Sequence, residues 1–165
     1  MYIPTDFKTE NNKHNQAIAA LRAYYNGKKK IVELPGKNNV GYDLLIDDLH
    51  VEIKTNSGAG KSGPYKTFLI ETYADHAMAK QPEWRYADVD YLIVFNRYAR
   101  KAYIYSIPEL RDYVTKNESS QVPSGVSVGM YNTANKKCSW GVKINWACKE
   151  AGCVKELDLQ EFWYD

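Results

Sequence analysis

The stretch Tyr42-Asp43-Leu44-Leu45-Ile46-Asp47-Asp48-Leu49-His50-Val51-Glu52-Ile53-Lys54-Thr55 (YDLLIDDLHVEIKT) reads as two short strands, Tyr42 to Ile46 and Leu49 to Thr55, around a turn at Asp47-Asp48. With those two residues at the centre of the turn, antiparallel pairing sets 46 opposite 49, 44 opposite 51 and 43 opposite 52. Side chains alternate along a strand, so this register puts Tyr42, Leu44, Ile46, Leu49, Val51 and Ile53 on one face. Asp43, Glu52 and Lys54 fall on the other, together with His50. The apolar face is expected to be core and the charged face a site. A slip of one residue at the turn would carry Asp43 to the opposite face.

Upstream, Ala17, Ile18, Leu21 and Tyr25 recur at helical spacing, and Asn26-Gly27 is a stop, so a helix is expected from about Thr9 to Tyr25. Lys28, Lys29 and Lys30 read as a solvated basic run, and Pro35 to Asn39 as a turn. Downstream, a Gly- and Ser-rich loop from Asn56 to Lys66 is expected to be flexible and to precede a third strand, Thr67 to Tyr73. Tyr91 to Phe95 (YLIVF) is a continuous apolar run, as in a strand covered on both faces, and Ala102 to Ser106 pairs with it. Pro108 suits the first turn of a helix reaching about Lys116. Beyond Asn117 the chain is polar, with one late strand at Ser139 to Trp146 and no internal repeat. The order is helix, three-stranded meander, strand pair, helix, tail. It predicts a mixed α/β, or α+β, domain with a central mixed β-sheet flanked by helices.

At 165 residues, with 44% hydrophobic and 25% charged residues, the chain is the size of one domain with a real core. We expect a single unit over 1–165, with a core at about 9–116 and a C-terminal extension at 117–165. Fourteen tyrosines and four tryptophans favour a rigid, sheet-containing fold with aromatic contact surface. A net charge of +2 neither supports nor excludes nucleic-acid binding, which depends on local clustering of Lys and Arg. No apolar run of about 18 residues exists, and Met1 to Glu10 is polar, so no membrane span or signal peptide is expected. Cys138, Cys148 and Cys153 are an odd number near the C-terminus and are expected to be reduced thiols. These features together predict a cytoplasmic protein.

Two carboxylates opposed across strands repel, and they need a cation or a proton between them. Oxygen atoms of Asp43 and Glu52, with the backbone carbonyl of Ile53 as a further donor, are the hard ligands that Mg²⁺ prefers. Lys54, two residues on and on the same face, can orient a water nucleophile or offset charge developing on a phosphate. The same three side chains also describe an exposed hairpin face carrying an ordinary Glu52–Lys54 ion pair.

Asp43 followed by Glu52-Ile53-Lys54 resembles the PD-(D/E)xK nuclease superfamily, in which an Asp at the start of one strand precedes Glu-x-Lys in the next. By order of elements the resemblance covers roughly residues 9 to 106, because the family also places a helix before the hairpin and a strand after it. It implies a restriction-endonuclease-like core and a Mg²⁺- or Mn²⁺-dependent deoxyribonuclease with catalytic Asp43, Glu52 and Lys54. DNA is the implied partner, a bacterial or phage-infected cell the implied setting, and a homodimer is left open. Glu10 matches the acidic residue that many members direct at the metal from the first helix, although dipole compensation in a first helical turn explains it equally well. Glu71, within the third strand, is a further candidate metal ligand, and Trp84 to Phe95 follows a pattern of phage and bacterial members. Tyr42 stands where many members have proline. Gln81 and Tyr86 lack the spacing of the Gln-x-x-x-Tyr element of exonuclease-like branches, which favours endonucleolytic action. A different reading keeps the scaffold without catalysis, as a nucleic-acid-binding or accessory protein.

Thr55 to Ser62 (TNSGAGKS) fails as a phosphate-binding loop, because Thr55 replaces the first glycine and Gly63-Pro64 opposes the following helix. Lys61 and Lys66 on this loop fit contacts to backbone phosphates better. The cysteines lack a CxxC pair and a nearby histidine, which argues against a zinc site borrowing His14, His50 or His76. Basic and aromatic residues alternate in Arg97 to Tyr103 and across Lys136, Lys137, Trp140, Lys143 and Trp146. Such mixtures suit phosphate contact plus base stacking and describe ordinary strand surfaces equally well.

Overall fold

The computed structural model describes residues 7–34, 41–73, 81–118, 127–132 and 137–164, with side chains for 12–34, 41–73, 81–118 and 141–164. In chain order the elements are α1 (Phe7–Tyr25), β1 (Ile31–Glu33), β2 (Leu44–Ile46), β3 (Leu49–Asn56), β4 (Ala59–Gly60), β5 (Gly63–Pro64), β6 (Thr67–Tyr73), a 3-10 turn (Glu83–Arg85), β7 (Tyr91–Asn96), β8 (Lys101–Ser106), α2 (Ile107–Asn117), β9 (Ser127–Asn132), β10 (Lys137–Asn145), β11 (Cys153–Asp158) and a second 3-10 turn (Gln160–Phe162). Six strands form the central sheet in the order β1-β2-β3-β7-β8-β11. Only β3 and β7 run parallel in it; the other neighbours are antiparallel, so the sheet is mixed and the class is α+β. Among the described residues no helix is long and apolar enough to cross a membrane.

The sheet is covered on both faces. Ala17, Ile18 and Leu21 of α1 pack with Leu44, Val51, Ile53, Ile93 and Phe95 on one face. Leu110 and Val114 of α2, with Phe68, Ile70, Val142 and Ile144 of β6 and β10, pack with Leu92 and Val94 on the other. This two-sided burial explains the uninterrupted apolar run of β7, whose successive side chains enter different cores. Each fully buried Leu or Ile contributes about 1.5–3 kcal/mol by leaving water. Asn26 (φ 46°) and Gly27 (φ 78°) end α1 in the left-handed region, as the stop signal predicted.

Three expectations are corrected. Thr67 to Tyr73 is a strand, but it is not the third strand of a meander: β6 pairs with β10 in a separate sheet, β6-β10-β9, and the second neighbour of β3 is β7. Alternation reports a strand's faces and not its neighbour, so sequence adjacency misled. The boundary at residue 117 does not separate core from extension, because β11 pairs with β8 and completes the central sheet. Its pattern hid it: of Cys153–Asp158 only Leu157 is buried. The stretch from Asn56 to Lys66 holds the β4–β5 hairpin, closed at its base by Tyr65 N–H donating to Gly58 O (2.9 Å). The turn at Pro35 to Asn39, and His76, lie outside the described residues.

Gly58 is required where it stands. Its φ is +75°, and a β-carbon there would collide with the side chain of Asn96, whose Oδ1 already accepts the Ala99 N–H at 3.0 Å. Gly58→Ala is therefore expected to lower the unfolding free energy by about 2 kcal/mol, read by urea denaturation. Unchanged stability would show that this junction yields.

Candidate active site

Asp47 (φ 48°) and Asp48 (φ 67°) both adopt the left-handed backbone, the conformation that lets a two-residue turn follow the twist of its strands. The register is 46 with 49, 45 with 50 and 44 with 51, as the turn predicted. Regular pairing ends there. Asp43 N–H donates to Val51 O (2.9 Å), and Asp43 Oδ2 accepts the Ile53 N–H (2.8 Å), so a carboxylate takes over the backbone donor beyond the end of β2. The N–H and C=O of one strand residue leave by the same edge, so the Ile53 carbonyl also leaves β3 toward Asp43.

This side-chain substitution moves Tyr42. Its ring stacks on His50 at 4.1 Å and 9°, and it packs with the core that holds α2, opposite to the face predicted for it. Leu49, also expected in the core, is 44% exposed. His50 is committed to local contacts: its N–H donates to Asp90 Oδ2 (2.8 Å), and Nδ1 lies 2.9 Å from Asp88 O.

Glu52 and Lys54 share one face of β3, with Lys54 Nζ 3.2 Å from Glu52 Oε1. The Glu52 side chain is only 16% exposed, against 49% for Lys54. Burial pushes the Glu52 carboxyl up to about 7; the Lys54 charge opposes that, and the charge of Asp43 and a hydrogen bond with it add to it. Asp43, Glu52 and Lys54 thus act on each other as one electrostatic unit, with Asp43 anchored through the Ile53 amide.

Two clefts flank this unit. One of about 250 Å³ runs between β3 and β6 and is lined by Lys54, Thr55, Asn56 and residues 68 to 71. The other, about 230 Å³, is bordered by Asp43 and by His14, Glu33 and Leu34. Glu71 is exposed and rims the Lys54 cleft, but among the described residues no three His, Cys, Asp or Glu side chains gather where they could hold one ion. Glu71 is therefore not brought together with Asp43 and Glu52. The side chain of Glu10 lies outside the described residues; its backbone stands in α1 one turn before His14. His14, weighed from the sequence only as a zinc ligand, lines the Asp43 cleft from α1 together with Asn15 and Ile18. Cys148 and Cys153 are free thiols, and the side chain of Cys138 lies outside the described residues.

No family model matches the chain, and no curated protein matches it in sequence. Among solved structures the chain is similar to the bacterial homing endonuclease I-Ssp6803I, with 16% identity and a TM-score of 0.42, over 60% of this chain and 69% of that one.

Proposed function

We propose that the chain is a divalent-metal-dependent nuclease that hydrolyses phosphodiester bonds in DNA, acting endonucleolytically. The observation that carries this reading is the Glu52 carboxyl, only 16% exposed, 3.2 Å from Lys54 Nζ and raised by its partial burial and by the neighbouring charge of Asp43. Two interacting carboxyls, one of them largely withdrawn from water, repel unless a proton or a cation lies between them. The donor chemistry fits Mg²⁺ or Mn²⁺: carboxylate oxygens from Asp43 and Glu52 and the Ile53 carbonyl, all hard ligands at one strand edge. Glu10 is proposed as a further ligand from α1, and Glu71 as one that would act through water across the cleft. A bound ion would supply Lewis-acid stabilisation of phosphate charge and a more acidic water.

The protein's own groups have distinct tasks. Asp43 fixes the edge of β3 and presents a carboxylate beyond the end of the ladder. Lys54, half exposed on the cleft, is placed to orient an attacking water or to offset charge on the scissile phosphate. Plasmid, single-stranded and branched DNA incubated with Mg²⁺ or Mn²⁺ should be cut, and chelator should stop the reaction. No metal-dependent cutting of any nucleic acid would sink the proposal. Salt-sensitive DNA binding that survives Glu52→Ala, without cleavage, would assign the scaffold to a non-catalytic binding role instead.

A further inference from the structure

Two tyrosine-bearing turns meet where β3 ends. The β7–β8 turn docks on the chain leaving β3, with Arg97 N–H donating to Asn56 O (2.9 Å) and Tyr98 N–H to Ser57 O (3.0 Å). The β4–β5 hairpin follows at once, and Trp146 Nε1 ties it to the end of β10 by donating to Tyr65 O (2.9 Å). This hairpin connects β3 to β6, the two strands that wall the cleft holding Lys54, so it stands at one end of that cleft.

Both turns present an aromatic ring to solvent: Tyr65 is 49% exposed and Tyr98 62%. The Tyr65 ring is also held, because it lies against Gly60, where a β-carbon would collide with the ring and its hydroxyl. A ring fixed from below and open above loses little conformational entropy on stacking. Lys61 in the hairpin and Lys66 just after it are exposed and supply phosphate-neutralising charge. A duplex keeps its base faces inside the stack, whereas an unpaired base offers a π-face to an aromatic platform.

We propose that the β4–β5 hairpin and the β7–β8 turn form a nucleic-acid platform on which Tyr65 and Tyr98 stack unpaired bases, so that the favoured substrate is single-stranded or locally opened. The inference rests on the nuclease reading for its relation to Lys54, but its own readout is binding. Anisotropy of labelled oligonucleotides of one sequence, single-stranded or as duplex and without divalent metal, measures it. The double variant Tyr65→Ala/Tyr98→Ala is expected to weaken single-strand binding about tenfold or more, with duplex binding changed by less than about twofold. Tyr98→Ala alone, which leaves the Tyr65–Gly60 contact intact, should give about threefold or more, and Tyr98→Phe should keep wild-type binding, since stacking needs the ring and not the hydroxyl. Equal losses for both nucleic-acid forms, or no loss, would overturn the platform. Metal-dependent cleavage by the wild type is scored separately: cleavage without strand-selective stacking removes the platform alone, and selective stacking without cleavage of any substrate removes the nuclease reading alone.

Discussion

Lys54→Ala is expected to slow DNA cleavage by about two to four orders of magnitude while DNA affinity stays within a few-fold. The ammonium is half exposed at the cleft, open to a bound substrate, and it lies 3.2 Å from Glu52. If the pair were only a surface ion pair, its loss would cost less than about 1 kcal/mol in stability and nothing in rate. A second readout separates the two roles. Lys54 holds the Glu52 carboxyl down, so residual cleavage in the variant should need a higher pH than in the wild type. Wild-type rates and an unmoved pH profile would leave Lys54 with no part in the chemistry.

Glu52→Gln is expected to stabilise the metal-free protein at pH 8. Folding carries the Glu52 carboxyl from 4.5 to about 7, which at about 1.4 kcal/mol per pH unit amounts to roughly 3 kcal/mol. Between those values the folded state binds more protons than the unfolded one. The contribution of this group is therefore intact below about pH 4.5 and is lost as pH rises through about 7. The uncharged amide escapes that loss, so the gain over wild type should be full at pH 8 and vanish near pH 4.5 in denaturant titrations. Mg²⁺ at pH 8 should stabilise the wild type and not the variant. Equal stability at pH 8 would show that the wild-type carboxyl is ionised there without strain.

Much of the site's scaffold was legible in the residues themselves. Asp47-Asp48 is a two-residue turn, and strict alternation on either side leaves one register that buries Leu44, Val51 and Ile53 together. The run from Tyr91 and the proline at 108 declared β7 and α2 in the same way. Tyr42 shows where such reasoning stops. Period-2 logic assumes a backbone ladder, and at Asp43 a side chain replaces the backbone partner of Ile53. The parallel join of β3 to β7 and the pairing of β6 with β10 connect segments far apart in sequence, and alternation carries no information about them. The cleft beside Lys54 could not be foreseen for that reason, since β6 forms its second wall from another sheet. The raised Glu52 carboxyl depends on burial, which alternation along β3 does not reveal.

Anomalous scattering from a crystal soaked in Mn²⁺ tests the central claim most directly. The predicted result is one ion bound by the Asp43 and Glu52 carboxylates and the Ile53 carbonyl, absent in Glu52→Gln. No ion at that strand edge, or an ion elsewhere with cleavage retained in Glu52→Gln, would contradict it.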